Sequence, residues 1–207
     1  MKILNKNIFN EIDQKFFIVV DDFLPNNQAI EIKNSIFNYK TQWTLNEGTC
    51  LYEDYLIQKK INNNCREYFQ FGHNYVTYDH NKQQSTIVDN NRVVFYVTEQ
   101  FNKKYDLTSL EIFRIKANLL TQYQNNKKQY FNTPHLDYYF KHYVLLYYVN
   151  DSDGDTVFFK NNKILNKVSP KMNRIVMFRG DLLHASNHPI KSQGRAILNF
   201  NIKNVEN

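Results

Sequence analysis

The chain has 207 residues, a length that suits one domain of ordinary size, and we predict a single domain over residues 1–207. Hydrophobic residues make up 42% of the chain and aromatic residues 15%, which is enough for a sizeable core and excludes a wholly disordered protein. The formal net charge is +6 without any run of five or more basic residues, so we attribute the charge to scattered surface lysines rather than to an anion-binding stripe.

The N-terminal part, residues 1–107, has the mixed pattern of a partly helical support region. Pro25 suits the first turn of a helix, because a proline lacks the N–H group that would be unpaired there. Apolar residues recur at helical spacing around Val97. The predicted elements are a buried strand at residues 16–20 and helices at residues 25–38, 52–71 and 91–103.

The C-terminal part, residues 108–203, is predicted to be almost entirely β. Turn-forming Asn, Asp and Gly residues separate short apolar runs of strand length. Many short strands of this kind favour a mainly β fold with flanking helices, built as a sandwich or jelly roll. The predicted strands cover residues 111–123, 143–149, 156–159, 174–178, 184–186 and 195–202.

The sharpest chemical feature is the sequence His135-Leu136-Asp137. Side chains alternate along an extended chain, so His135 and Asp137 point to the same side and can hold one metal ion. His184 is the best candidate for a third ligand, because it follows a buried strand and a tight polar turn. Two histidines and one carboxylate with open positions are typical of non-haem iron(II) oxygenases. On its own, however, such a pair also occurs by chance, and the histidine is then an ordinary surface residue.

Arg195 begins the last predicted strand. Alternation places Arg195, Ile197 and Asn199 on one face of that strand and only apolar side chains on the other. The apolar face is predicted to pack against the N-terminal helices, which leaves the first face pointing into the barrel. A guanidinium buried there is costly unless it meets an anion, and its planar fork suits a carboxylate. The alternative is an ordinary salt bridge.

Residues 111–203 resemble the Fe(II)/2-oxoglutarate-dependent dioxygenase superfamily and are nearest to its prolyl 4-hydroxylase-like branch. The likeness rests on the order and spacing of four blocks, at residues 134–137, 146–158, 170–184 and 194–202. Two departures are Gly154-Asp155, where the family carries a pair of glycines, and Arg195, where many prolyl 4-hydroxylases carry lysine.

The resemblance implies a double-stranded β-helix, which is a cupin-like jelly roll, that uses Fe(2+), 2-oxoglutarate and O2, with L-ascorbate as a candidate further cofactor. It implies that His135, Asp137 and His184 hold the iron. It also implies that Arg195 holds the distal carboxylate of 2-oxoglutarate. The expected reaction is hydroxylation of a C–H bond with release of succinate and CO2.

The resemblance further implies that Tyr148, Tyr123 and Asn199 lie near the cosubstrate. For the two tyrosines, packing in the core is the alternative. The loop at residues 124–133 is long and polar, which makes it a candidate lid over the substrate.

Several substrates fit such an enzyme. A prolyl residue in a protein or peptide is the first candidate, and a free amino acid or another small molecule is the second. Nucleic-acid demethylation ranks low, because relatives that dealkylate bases carry a second arginine six residues after the first, where this chain has Asn201. A non-catalytic cupin-type binding or structural protein is the alternative outside enzymes.

The compartment follows from simple features. Cys50 and Cys65 stand in neither a CxxC nor a zinc-type spacing, which favours free thiols in a reducing compartment. The N-terminus has no readable signal peptide, and the longest apolar runs have strand length. We therefore predict a cytoplasmic protein without membrane contact.

Overall fold

The computed structural model describes residues 8–50, 58–59, 65–105, 107, 110–123 and 130–204. Within these residues the chain forms three helices and eleven strands. The helices are α1 (Ile8–Lys15), α2 (Asn26–Ile36) and α3 (Arg92–Tyr105). The strands are β1 (Phe17–Val20), β2 (Thr44–Asn46), β3 (Gln70–Asp79), β4 (Gln84–Ile87), β5 (Leu110–Thr121), β6 (Tyr143–Tyr148), β7 (Thr156–Lys160), β8 (Lys163–Val168), β9 (Arg174–Arg179), β10 (His184–Ser186) and β11 (Gly194–Asn204).

The strands form two antiparallel sheets. The major sheet has the order β1-β9-β6-β11-β5-β3-β2, with β4 paired to β3, and the minor sheet has the order β10-β7-β8. The predicted mainly β jelly roll with flanking helices is confirmed. No helix in the described part of the chain is both long and apolar enough to cross a membrane.

The predicted strands of the C-terminal part agree closely with β5–β7 and β9–β11, and the helices predicted at residues 25–38 and 91–103 agree with α2 and α3. The helix predicted at residues 52–71 lies mostly outside the described residues. At its end the prediction is wrong, because residues 70 and 71 begin β3, which pairs with β5. Sheet pairing decides the conformation here over local helix propensity.

The outer face of the major sheet carries the main core. Leu198 and Phe200 of β11 are fully buried and belong to one apolar cluster with Ile12 of α1, Ile32 of α2 and Val97 of α3. This packing confirms the predicted apolar face of the last strand. Each fully buried side chain of this size contributes about 1.5–3 kcal/mol of burial free energy, so the helices are held firmly against the sheet.

The inner face of the major sheet packs against the minor sheet. Val144, Leu146 and Val176 of the major sheet form a second cluster with Phe158 and Val168 of the minor sheet. Polar side chains replace these apolar ones towards one end of the space between the sheets, and that end contains the predicted site residues.

Asn173 fixes the connection from β1 to α2. Its backbone has a left-handed φ of 65°, which an asparagine tolerates better than most residues. Its side chain accepts a hydrogen bond from the Leu24 N–H at 2.9 Å and donates one to the Leu24 carbonyl at 2.7 Å. The amide therefore takes the place of a strand partner for the chain that leads into α2.

Candidate metal centre

The predicted ligands converge from two neighbouring segments. His184 begins β10, and the backbone of His135 pairs with it in an antiparallel bridge, with N–H to carbonyl distances of 3.0 and 3.2 Å. Asp137 follows two residues later. The ligand atoms of the three side chains all lie within 4.8 Å of one another, and His135 Nε2 is 3.9 Å from Asp137 Oδ1.

Backbone carbonyls orient both imidazoles. Nδ1 of His135 lies 2.8 Å from the carbonyl of Thr133, and Nδ1 of His184 lies 3.2 Å from the carbonyl of Leu182. A carbonyl only accepts, so each Nδ1 carries the proton and each Nε2 keeps a lone pair for a metal. Burial, reinforced by the neighbouring His135, lowers the pKa of His184 to about 4, which keeps that ligand neutral near pH 7.

Two amides hold the Asp137 carboxylate. Its Oδ2 accepts hydrogen bonds from Asn201 at 2.7 Å and from Asn199 at 3.0 Å, which leaves Oδ1 turned towards His135. Burial opposes ionisation of this carboxyl, but the charge of Arg114 and the hydrogen bond from Asn201 keep the pKa of Asp137 well below its usual range. The site therefore offers two neutral nitrogens and one anionic oxygen, a donor set that suits iron(II) and leaves other positions open.

A glutamate supports the segment that carries His135. Glu67 Oε2 accepts hydrogen bonds from the backbone N–H of Thr133, at 3.0 Å, and from the Thr133 hydroxyl. Its Oε1 accepts a bond from the Thr49 hydroxyl at 2.7 Å. Since the Thr133 carbonyl fixes the His135 ring, Glu67 positions this ligand indirectly.

Arg195 lies deeper in the same cavity and is only 2% exposed. Its Nη2 donates to the Thr156 hydroxyl at 2.7 Å, whereas its Nε has no hydrogen-bond partner. No carboxylate in the described ranges lies within ion-pair distance of it, and burial lowers the pKa of Arg195. A buried guanidinium without a counter-ion is costly, so the cavity is built for an anionic ligand.

The other predicted residues differ in their positions. Asn199 lines the cavity next to Asp137. Tyr148 is fully buried behind Arg195, and its hydroxyl donates to Thr156 at 2.7 Å. Tyr123 is 38% exposed and packs against the ring of Tyr68 rather than lining the cavity. Of the predicted lid, residues 124–129 lie outside the described residues.

The structure adds residues that the sequence reasoning missed. Arg114, Lys116 and Asn118 of β5 line the cavity opposite β11. Their spacing of two residues, interleaved with the buried apolar Ile115 and Ala117, is a signal that could have identified them. Asn201, which the sequence marks only as the position of a missing arginine, donates a hydrogen bond to Asp137.

Comparisons with known proteins identify the fold. No family model and no curated protein matches the sequence. An oxidoreductase of the 2OG-Fe(II) oxygenase family from Burkholderia pseudomallei superposes with a TM-score of 0.69 at 8% identity, over 99% of this chain and 94% of that one. The chain has the 2OG-Fe(II) oxygenase fold.

Two further structures with this oxygenase fold are similar. A Trichoplax adhaerens prolyl hydroxylase, in complex with a hypoxia inducible factor peptide fragment, has a TM-score of 0.60 at 12% identity, over 98% of this chain and 90% of that one. HygX from Streptomyces hygroscopicus, with nickel and 2-oxoglutarate bound, has a TM-score of 0.56 at 8% identity, over 94% of this chain and 85% of that one. The resemblance drawn from the sequence is thus confirmed at the level of the fold.

Proposed function

We propose that the chain is an Fe(II)- and 2-oxoglutarate-dependent dioxygenase that hydroxylates a C–H bond. In the balanced reaction, R–H, O2 and 2-oxoglutarate give R–OH, succinate and CO2. The observation that carries the proposal is the buried, uncompensated guanidinium of Arg195 in one cavity with His135, Asp137 and His184. A degenerate binding or structural protein on this scaffold has no need to keep all four side chains.

Each residue has a distinct task in this proposal. The iron is held by His135, Asp137 and His184. Arg195 donates hydrogen bonds to the distal carboxylate of 2-oxoglutarate, because a planar guanidinium can bind a carboxylate through two parallel bonds. Bound there, iron(II) and 2-oxoglutarate supply the activation of dioxygen, with L-ascorbate as a candidate further reductant. Tyr148 and Thr156 keep Arg195 in place from behind, which makes Tyr148 a positioning residue.

Apolar side chains keep water away from the cosubstrate. Ile197, Leu146 and Leu120 line the cavity between the metal ligands and Arg195. Their low polarity strengthens the charge interaction between Arg195 and a carboxylate, because less water screens it. The same side chains leave the ligand few alternative orientations.

The decisive experiment is anaerobic addition of Fe(II) and 2-oxoglutarate to the metal-free protein. We expect a visible charge-transfer band that His135→Ala abolishes. Arg195→Met should retain iron binding but weaken 2-oxoglutarate binding about 10- to 100-fold, the value of a lost hydrogen bond between charged groups. Arg179→Met, which removes an arginine paired with Asp181 outside the cavity, is the matched control. Absence of both the band and succinate release would favour the non-catalytic binding protein.

A prolyl residue in a protein or peptide is the first substrate to test. The likeness to the prolyl 4-hydroxylase-like branch supports it, as does the peptide bound to the Trichoplax prolyl hydroxylase of the same fold. A free amino acid or other small molecule is the second. Nucleic-acid demethylation ranks lower, since Asn201 is committed to Asp137 rather than available to a base. A cytoplasmic location stays a prediction.

A further inference from the structure

A second, outer cavity opens on the other side of the metal ligands. It has a volume of 440 Å³, within the range of small-molecule and side-chain pockets. His135, Asp137, Arg114 and Lys116 line both this outer cavity and the inner one that contains Arg195. A substrate in the outer cavity would therefore lie beside the metal-ligand side chains, in the cavity that Arg195 does not line.

Two cations stand at the boundary between the cavities. Arg114 Nη1 donates to Asn201 Oδ1 at 2.9 Å and is 3.9 Å from Asp137 Oδ1. Lys116, half-buried, follows two residues later on the same face of β5, and its Nζ makes no hydrogen bond or ion pair within the described ranges. Neither cation has a carboxylate of its own, because Asp137 is also a metal ligand.

A glycine makes room for the lysine. A Cβ atom on Gly72 of β3 would come within 2.7 Å of Lys116 Cε and 3.2 Å of its Nζ. The Lys116 side chain therefore lies across the β3 backbone, where it stays at the cavity wall instead of extending into solvent. This placement argues against a merely solvated surface lysine.

The charges around the two cavities do not balance. Among the described residues, Arg114, Lys116 and Arg195 are the lining cations and Asp137 is the lining carboxylate, which leaves two positive charges. The two positive charges of iron(II) cancel the two negative charges of 2-oxoglutarate and change nothing in this balance. The nearby Glu67 carboxylate lines neither cavity, and it accepts hydrogen bonds from Thr49 and Thr133 rather than from these cations.

We propose that the substrate carries a carboxylate that binds Lys116 and Arg114 in the outer cavity, close to the C–H bond that reacts. This inference rests on the proposed oxygenase function. The distal carboxylate of 2-oxoglutarate, held by Arg195, does not reach these cations, because Arg195 pairs with Leu120, four residues and about 13 Å along β5 from Lys116. The carboxylate belongs either to a free amino acid or to a peptide.

The experiment measures stimulated succinate release with matched pairs of compounds. Each free L-amino acid is compared with its C-terminal amide, and short peptides ending in the same residues are compared with their amides. We expect a carboxylate to be turned over at least about tenfold more efficiently than its amide, since a charge-assisted hydrogen bond is lost in the amide. The more active pair identifies the source, free amino acid or peptide.

Variants then assign the effect to the lysine. Lys116→Met should raise the KM for the active carboxylate about tenfold or more and leave the KM for 2-oxoglutarate unchanged, whereas Arg195→Met should do the reverse. Lys163→Met, which changes an exposed lysine on β8, is the control.

Three results would overturn the inference. They are equal turnover of acids and amides, no stimulation by any carboxylate, and a Lys116→Met variant whose KM rises for 2-oxoglutarate instead. The anaerobic charge-transfer band is read separately in the same preparations. If the band forms and the acids fail, the oxygenase stands and the substrate class is wrong; if the band fails, the oxygenase itself is wrong.

Discussion

Asn201 offers a direct test of how the chain holds its metal-binding carboxylate. The side chain is fully buried, donates to Asp137 Oδ2 at 2.7 Å and accepts from Arg114 Nη1 at 2.9 Å. Asn201→Ala removes both bonds, each to a charged group and each contributing about 1.5–3 kcal/mol. Asn199 still holds the same oxygen at 3.0 Å, so we expect a loss of about 2–4 kcal/mol in unfolding free energy rather than complete unfolding.

The same substitution should weaken iron binding. Groups that orient a metal ligand typically account for about 10- to 100-fold in metal affinity, and we expect a loss in that range in an anaerobic Fe(II) titration. Asn199→Ala removes one longer bond and no contact to Arg114, so its effects on stability and on affinity should both be smaller. Asn74→Ala, on the exposed side of β3, is the control. Wild-type iron affinity in a folded Asn201→Ala protein would show that this amide does not position Asp137.

Three further predictions concern positions outside the ligand set. In Gly154→Ala the new methyl group would lie 2.5 Å from the Asn187 carbonyl oxygen and 3.0 Å from Arg195 Cδ. The displaced guanidinium should weaken 2-oxoglutarate binding about 10- to 100-fold in the anaerobic titration. Unchanged affinity would contradict this prediction. Burial alone would raise the pKa of Asp153, but three consecutive backbone N–H groups, at residues 190–192, outweigh it and lower that pKa to about 2. Its stabilising contribution is therefore complete above pH 4 and lost as the pH falls to about 2, and Asp153→Asn should remove that part of the acid dependence of urea unfolding. Asn173→Ala loses both hydrogen bonds to Leu24 and keeps a left-handed backbone, so the free energy of unfolding measured with urea should fall by about 2–4 kcal/mol. Asn173→Gly should recover about 1 kcal/mol of that loss, because glycine adopts a left-handed backbone without strain. Equal losses in the two variants would show that the backbone is not strained.

Patterns that depend on local alternation were readable from the sequence. The two faces of β11 were assigned correctly, because apolar residues occupy every second position without interruption from Ala196 to Ile202. The number and length of such strands favour a sandwich or a jelly roll, and the resemblance to the oxygenase superfamily selects the jelly roll. The spacing of His135 and Asp137 likewise indicated a shared direction, and the backbone bridge to His184 supplies the convergence that the spacing alone could not.

Elements that depend on distant pairing were missed. β2 and β4 each pair only with β3 among the described strands, and most of their residues are exposed, so their sequences carry little apolar alternation. The sequence does not reveal β8 for the same reason, since of its residues only Val168 is buried. β3 itself contains Gly72 and Asn74, which are poor strand formers, and its pairing with β5 holds it in place. Tertiary contacts decide these segments.

A bulge in β5 decides the composition of the site. Arg114 pairs with Asn201 and Ile112 pairs with Ile202, so Phe113 is an extra residue without a partner on β11. If Phe113 instead took a regular place in the ladder, the alternation that packs Ile112 on the outer core would point Arg114 outwards as well. Because Phe113 forms a bulge, the side chains of β5 that face the cavity are those of Arg114 and of every second residue after it.

After the bulge, the cavity-facing side chains of β5 and β11 change from polar to apolar along the two strands. Arg114 and Lys116 stand opposite the two asparagines that hold Asp137, and further in Leu120 stands opposite Arg195. Cations and amides thus surround the metal ligands at the outer end, apolar side chains follow, and a single guanidinium ends the row. A sequence read strictly by period two would place Ile112 and Arg114 on one face, so the cationic outer end requires that Phe113 is accommodated as a bulge. Deleting Phe113 should therefore remove the bulge and leave Arg114 facing the cavity, so a protein that folds without Phe113 should still bind iron in an anaerobic Fe(II) titration.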